Sequence, residues 1–417
     1  MVRKILLLLF FLLLVLLLPG CSSTHVNDKN SSEAKGGASF QIPATDLTAI
    51  TLDTIEVTDP SLISLLSAEL AKAVPSKEAP GNAHPETLAL TVNGREESYQ
   101  IYIADLDTAA PAVLKSEEGW YQIPAEFINL LHSLDEYPTY SAVVEEKDKE
   151  LLAKYGLTPA FLINQLQVKL PVDLLHRAGE YPATLYWAYN NELSKAINLN
   201  LEKALDQQVD VRLYKIVELL PDYLSPRCHT GRAVIVHYAD EIVGAWLDAG
   251  RHDGFACSLD GKTLEEVTNK SWDQWIVSHI DYDDPLEKEL ALKSPEEIIQ
   301  TYYEAINNKD DSRAYACLSR KHLSSYLFSN MDNYYLMNPG YEINDGVGNI
   351  TSASVVKIEP YSLDSEQYEE LLFYQVTVDL EVKEPITFES GRQTRFIYLK
   401  QESPSTGWRI LSIGTGP

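Results

Sequence analysis

Apolar and polar positions in the first block of the chain, residues 42–145, alternate on either side of Asn93-Gly94. Two alternating runs joined by Asn-Gly are typical of a β-hairpin, because both turn residues tolerate a positive φ. Asp59 followed by Pro60 predicts a helix start, since aspartate caps the first N–H groups and proline fits the first helical position. The block is therefore predicted to be a small α+β domain.

The second block, residues 151–285, combines strand and helix patterns around a central hairpin. The stretch "RAVIVHYADEIVGAWLDAG" alternates on both sides of Ala239-Asp240, which predicts two strands and a tight turn. Thr263, followed three residues later by Glu266, matches a capping box and predicts the start of a helix. We expect a second α+β domain here.

The third block, residues 293–417, changes its period from 3.6 to 2 along its length. Ser294 and Glu297 form a capping-box pattern ahead of "EIIQTYYEAI", whose apolar positions predict an amphipathic helix. From Leu372 to Val382 apolar residues occupy every second position, which predicts a long strand with one buried face. The stretches "TRFIYLK" and "WRILSIG" predict two further strands.

This order, helices followed by strands ending in "GWRILSIGTGP", resembles the nuclear-transport-factor-like cone fold of ketosteroid isomerase-type proteins. The resemblance implies a curved antiparallel sheet wrapped around a helix, with a pocket between them. An isomerase-type site would need a carboxylate base opposite a tyrosine and a protonated acid, and no Asp or Glu of this chain can be matched to that base. The candidate pocket-lining residues are Tyr302, Tyr303, Tyr374 and Tyr398.

The predicted fold class of the whole chain is thus α+β and multidomain. Two small α+β domains precede a helix-wrapped curved antiparallel sheet. With about 150 residues per domain, a chain of this length should hold two or three domains.

The N-terminus has the pattern of an export signal. "MVRK" is basic, Ile5 to Leu18 is an unbroken apolar run of 14 residues, and "LPGC" follows. These features predict a signal peptide over residues 1–20, and the run is shorter than the ~20 residues that span a bilayer. Residues 21–41 are polar and Gly/Ser-rich, as in a flexible tether.

The Gly20-Cys21 junction resembles the lipobox of bacterial lipoproteins, which implies a lipid on the thiol of Cys21. The protein would then be extracytoplasmic and attached to the cell membrane by that lipid. The alternative is an ordinary signal peptide cut elsewhere. The whole chain also resembles lipoproteins of Gram-positive bacteria that end in a cone-type domain, a likeness that implies location and architecture and brings no activity with it.

Composition and motifs narrow the possible partners. The formal net charge of −27 argues against nucleic-acid binding. The sequence has no CxxC, HExxH, GxGxxG or P-loop, so neither a metal site nor a cofactor is predicted. "DYDDP", residues 281–285, offers clustered carboxylates that calcium favours, but it lacks the glycine and terminal Glu of a calcium loop and is interpreted as a solvated linker.

The polar stretch "AGRHDGFACSLDGK", residues 249–262, has three interpretations. His252 could activate Cys257 as a nucleophile. Alternatively, Cys257 could form a disulfide with Cys228, because both flank one hairpin. The simplest interpretation is a strand, a turn and a strand that expose a binding patch. The residues of this candidate patch are Trp246, Arg251, His252 and Asp253.

Two classes of function remain open from the sequence. The preferred one is a non-enzymatic surface protein that binds a protein partner or a small-molecule ligand outside the membrane. The other is an enzyme of isomerase or hydrolase type that uses the pocket of the third block. A carboxylate with a raised pKa, buried beside a tyrosine hydroxyl, would favour the enzyme.

Overall fold

A computed structural model describes residues 47–77, 83–104, 111–180, 183–224, 231–250, 256–324, 348–362, 370–385 and 389–416. The predicted signal peptide, the lipid-attachment candidate Cys21 and the predicted tether all lie outside these ranges, which begin at Leu47. None of the helices within the described ranges is long and apolar enough to cross a membrane.

The first sheet has seven strands in the order β2-β1-β4-β5-β6-β7-β3. They are β1 Leu47–Leu52, β2 Ile55–Val57, β3 Val74–Ser76, β4 His84–Val92, β5 Arg95–Ile103, β6 Ala112–Ser116 and β7 Gly119–Ile123, accompanied by helices α1 Pro60–Leu70 and α2 Ala125–Glu136. The predicted hairpin is confirmed, with Asn93 and Gly94 at φ 51° and 74° between β4 and β5. The predicted cap is confirmed too, because Asp59 accepts hydrogen bonds from the N–H groups of Ser61 and Leu62.

The second sheet has four strands in the order β11-β10-β9-β8. Its elements are α3 Glu146–Ala153, β8 Pro159–Lys169, α4 Ala183–Lys195, β9 Gln208–Ile216, β10 Arg232–Tyr238, β11 Glu241–Asp248, α5 Leu264–Thr268 and α6 Trp272–Val277. The predicted turn between β10 and β11 is confirmed, with Ala239 and Asp240 at φ 49° and 65°. Thr263 and Glu266 form the expected capping box at α5.

Both faces of the second sheet are buried, and this joins the first two blocks. One face carries Val211 and Val236 into a hydrophobic core that also contains Leu62 and Phe127 from the first block. The opposite face carries Ile235 into a smaller core that includes Leu151 and Leu152 of α3. The first and second blocks therefore share one continuous core, whereas the sequence predicts two separate domains.

The third sheet has four strands in consecutive order. Its elements are α7 Pro285–Leu290, α8 Pro295–Asn307, α9 Asp311–Cys317, β12 Ile350–Pro360, β13 Leu372–Val382, β14 Gly391–Gln401 and β15 Trp408–Gly414. The capping box of Ser294 and Glu297 begins α8 as predicted. Along β13, Val376, Val378 and Leu380 are buried in one core with α8, which confirms the predicted alternation.

The third core also takes side chains from outside the predicted third block. Leu290 of α7 is fully buried in it, and Leu286 and Ala178 pack against it. Residues 281–285 are therefore not a free linker, since they lead directly into a helix of the third core. Every strand pair in the three sheets is antiparallel, and the predicted α+β class is confirmed.

Candidate functional site

The predicted binding patch of the second block cannot include Trp246. Its side chain is 0% exposed and its ring lies edge-on to Tyr186 and Trp187, at centroid distances of 6.3 and 6.2 Å. The cause is that α4 covers the face of β11 on which Trp246 lies opposite Val234. This part of the prediction is wrong. The other three patch residues, Arg251, His252 and Asp253, lie outside the described residues.

Cys257 is a buried free thiol that lies opposite Leu247 in an isolated β-bridge. Burial raises its pKa to about 12. A nucleophilic cysteine needs a lowered pKa, so this environment is the opposite of a thiol active site. A free thiol corresponds to the reduced alternative, while Cys228 lies outside the described residues and the geometry of that pair stays untested.

The four candidate tyrosines of the third block do not line one space. Tyr302 and Tyr303 of α8 and Tyr374 of β13 belong to the buried core. Tyr398 lies on the other face of the sheet, where it is opposite Phe373 with ring centroids 4.8 Å apart. Assigning Tyr398 to the same pocket is wrong, because Tyr374 is opposite Ile397 and neighbouring residues of a strand point to opposite faces.

Tyr374 forms a tyrosine–carboxylate pair at this core. The hydroxyl of Tyr374 donates to Oε1 of Glu296 at 2.7 Å, in the first turn of α8. This hydrogen bond lowers the pKa of Glu296. A general base with a raised pKa is the environment that the enzyme interpretation requires, and this carboxylate shows the reverse.

The carboxylates of "DYDDP" have structural partners. Asp284 caps α7 and also accepts from the backbone N–H of Ala178 at 2.6 Å. Asp283 pairs with Lys288 at 2.8 Å. Among the residues that the structure describes, no group of three or more His, Cys, Asp or Glu side chains could hold a metal ion.

A buried ionic cluster lies where residues 171–180 and α7 meet the third sheet. We call this contact the junction, and its charged cluster the junction network. The network comprises His176, Glu287, Arg320, Glu402 and Arg409, with side-chain exposures of 6% or less for its four charged members. Five different segments supply its five side chains.

Glu287 of α7 holds both guanidinium groups of the network. Its Oε2 accepts from Nη2 of Arg320 and its Oε1 from Nη2 of Arg409, each at 2.6 Å. Glu402 binds Nη1 of Arg320 at 2.7 Å and accepts from the backbone N–H of the same arginine. Nη1 of Arg409 donates to the carbonyl oxygen of Thr406 at 2.6 Å. Two cations and two anions therefore neutralise each other away from water.

His176 is the neutral member of the network. Its Nδ1 accepts from Nε of Arg320 at 3.0 Å, so Nε2 carries the proton and donates to the carbonyl oxygen of Glu180 at 3.1 Å. Burial, and next the positive charge of Arg320, hold the pKa of His176 well below 6.5. The network thus fixes one tautomer and one protonation state of this imidazole.

A small cleft opens beside the junction network. Trp272, Asp273 and Ile276 of α6 form one wall, and Lys321 and Lys400 of the third block lie on the other. Asp273 and Lys400 pair across it at 2.7 Å. The cavity volume of about 20 Å³ leaves room for one or two water molecules and no organic ligand.

A second polar cluster connects α3 to the second sheet through hydrogen bonds. The fully buried carboxylate of Asp148 accepts from Nε2 of His237 and the hydroxyl of Tyr214, both at 2.7 Å, and from Arg212 at 3.1 Å. Burial alone would raise the pKa of Asp148, but these hydrogen bonds outweigh it and lower the pKa. The arrangement keeps Asp148 ionised and explains how a charged residue of α3 can face the sheet.

Sequence reasoning missed both clusters because their members are far apart along the chain. His176 and Arg320 are separated by 144 residues, and Asp148 and His237 by 89. The local signal for them was a charged residue within an apolar strand, as with Arg409 in "WRILSIG".

Two models of known families match separate parts of the chain. Residues 151–247 match a domain of unknown function, DUF4830, and residues 296–414 match another, DUF4829. No curated protein and no solved structure matches the chain significantly. The first match covers the strands of the second sheet, and the second covers α8 through β15.

Proposed function

We propose that this chain is a lipid-anchored extracytoplasmic protein whose folded body binds a partner or ligand and performs no catalysis. The anchor is Cys21, exposed by removal of residues 1–20, and the Gly/Ser-rich residues 21–41 form the tether. Support for the anchor comes from the basic start, the short apolar run and the Gly20-Cys21 junction.

The third region of this protein adopts, in our proposal, the cone fold of nuclear-transport-factor-like proteins. Three features support this assignment. The four strands of its sheet are consecutive and antiparallel, α8 precedes them, and α8 packs against the sheet at both β12 and β15. A cone fold by itself assigns no activity, because enzymes and binding modules share it.

The observation that carries the non-enzymatic assignment is the chemistry of the inner face of the third sheet. Ile298, Tyr302, Tyr303 and Val376 fill this side with buried apolar and phenolic groups. Arg395 is buried opposite Val376 on the same face, and it is a cation and not a base. The carboxylate that touches a tyrosine here has a lowered pKa, as described above for Glu296, so it is a poor proton acceptor.

Anchoring is tested by following maturation of the full chain in a bacterial host that processes lipoproteins. We expect incorporation of a labelled fatty acid into the protein and accumulation of the precursor when globomycin inhibits the lipoprotein signal peptidase. Cys21→Ala should abolish both the labelling and the processing, whereas the neighbouring Ser22→Ala should leave both unchanged. Normal maturation of Cys21→Ala would disprove the anchor.

The binding role is tested on intact cells with a photo-crosslinker placed on the exposed face of the third region. Asp379, which lies on that face in an exposed ion pair with Arg392, is a suitable position. A discrete crosslinked species that disappears when unlabelled purified protein competes would support a binding function. Turnover of a candidate small molecule by the purified protein, abolished by Glu296→Gln, would instead support the enzyme.

A further inference from the structure

We propose that the junction is an acid-sensitive latch: neutral His176 keeps it closed, and proton uptake by this imidazole releases residues 171–180 while the sheets stay folded. This inference does not depend on the lipid anchor or on the binding role. It concerns a conformational equilibrium of the folded body, and it arises from the way that both ring nitrogens of His176 are used.

Neither nitrogen of His176 can accept a proton in the closed junction. Nε2 already carries a hydrogen, which it donates to Glu180, and the lone pair of Nδ1 accepts from Nε of Arg320. A proton on Nδ1 would remove that acceptor and place a cation 3.0 Å from the guanidinium nitrogen. Protonation and closure are therefore mutually exclusive.

The surrounding charges offer no compensation to an imidazolium. Among the described residues, both carboxylates of the junction network are already bound to guanidinium groups, since Glu287 binds Arg320 and Arg409, and Glu402 binds Arg320. Near His176 on its own segment and on residues 281–284, the charged groups are also engaged. Arg177 pairs with Asp173 and Asp281. Glu180 accepts a hydrogen bond from Thr184, and Asp284 caps α7.

Thermodynamic linkage gives the direction of the effect. In the closed junction the pKa of His176 is held well below 6.5 by burial and by Arg320, whereas a solvated imidazole titrates near 6.5. The open state therefore binds more protons, and opening becomes more favourable as the pH falls through 6.5. Above that pH both states are neutral at His176 and the latch is insensitive to pH. Each pH unit below it increases the opening constant up to about tenfold.

In the part of the chain that the structure describes, few backbone hydrogen bonds join residues 171–180 to other segments, and this favours local opening. At its start, the carbonyl oxygen of Pro171 accepts from the N–H of Asp206. Further along, the N–H of His176 donates to the carbonyl oxygen of His279, and the N–H of Asp281 donates to the carbonyl oxygen of His176. These two bonds form an isolated bridge, while the three sheets have continuous ladders. Opening the junction breaks the bridge and leaves those ladders intact.

Hydrogen exchange of the full chain between pH 7 and pH 5 measures this equilibrium. Rates must be corrected for the intrinsic pH dependence of amide exchange. We expect the amides of His176, Ala178 and Asp281 to lose about 25-fold in protection over this range, as one proton taken up with a pKa near 6.5 requires. Amides in β9 and β13 should keep their protection.

Two variants separate His176 from other titrating groups. His176→Gln keeps one acceptor and one donor but cannot be protonated, so its junction amides should show no pH dependence. His279→Gln is the matched control, because His279 also has a pKa lowered by burial but stacks on Trp275 outside the network. Its junction amides should behave as in the unmodified protein.

Three results would overturn the proposal. One is an unchanged pH dependence in His176→Gln, which would assign the effect to carboxylates. Another is a simultaneous loss of protection in β9 and β13, which would indicate global unfolding. The third does not require any variant to fold: nitrogen NMR of the unmodified protein would show His176 protonated at pH 5 while its amide remains protected.

Discussion

Two glutamates of α7 provide a direct test of how burial changes the contribution of an ion pair to the free energy of unfolding. Glu287 and Glu289 are two positions apart on one helix, and each meets an arginine nitrogen at 2.6 Å. Glu287 and its partner Arg320 are 1% and 3% exposed at the side chain, whereas Glu289 and Arg313 are 46% and 36% exposed. We expect Glu287→Gln to destabilise the protein far more than Glu289→Gln.

The expected magnitude follows from the partners that each change leaves behind. A glutamine at position 287 presents one acceptor and one donor, so an N–H of its amide would face a buried guanidinium. Removing one partner of a buried ion pair costs about 3–5 kcal/mol. The carbonyl of Thr406 still binds Arg409, which favours the lower end, about 3 kcal/mol. An exposed pair contributes about 0–1 kcal/mol.

Urea unfolding, followed by circular dichroism and by tryptophan fluorescence, measures both free energies. The two signals must give one coincident transition before a free energy of unfolding is extracted. A difference of about 2 kcal/mol or more between the variants would support the reasoning. Equal losses for Glu287→Gln and Glu289→Gln would refute it, because distance alone would then determine the contribution of each pair.

Three further predictions concern one or two positions each. Replacing Ala239 by Asn and Asp240 by Gly should raise the free energy of unfolding by about 1 kcal/mol, because these residues suit the two positive φ angles of 49° and 65°; a lower urea midpoint would contradict this. Gly179→Ala should cost about 2 kcal/mol and lower the thermal midpoint, since φ is 78° there and a Cβ would strike the backbone of α9; an unchanged midpoint would show that the segment can shift. Cys257 and Cys317, whose pKa values burial raises to about 12, should both resist a thiol reagent at pH 8 until urea is added; rapid labelling of the folded protein would be inconsistent with their burial.

Features that depend on a few neighbouring residues could be predicted from the sequence. The Asn93-Gly94 turn is determined by the φ preference of its two residues, and the capping box of Ser294 and Glu297 by a three-residue spacing. The alternation along β13 identified its buried face without knowledge of any other strand. These signals are local, so tertiary packing had little opportunity to override them.

The misplaced residues show what a single strand cannot reveal. The sequence predicts that Trp246 belongs to a surface patch, but the second sheet is covered on both faces, so almost all of β11 is buried. Tyr398 and Tyr374 are both predicted to line one pocket, yet only the pairing register shows that they occupy opposite faces. Layer number and register are properties of the assembled sheet, and the pattern of one strand does not contain them.

The junction network also explains why the two matched regions should not be regarded as independent modules joined by a linker. The first match, residues 151–247, includes His176, and the second, residues 296–414, includes Arg320 and Arg409. Glu287, the carboxylate that holds both arginines, lies in neither match. The intervening stretch also supplies Leu290 to the third core and Trp275 to the first. Without this stretch, two buried guanidinium groups would lose their shared counter-ion, and an unpaired buried charge strongly destabilises a fold. The stretch between the matches is thus an integral part of the fold, and the two regions are coupled through charge as well as through packing.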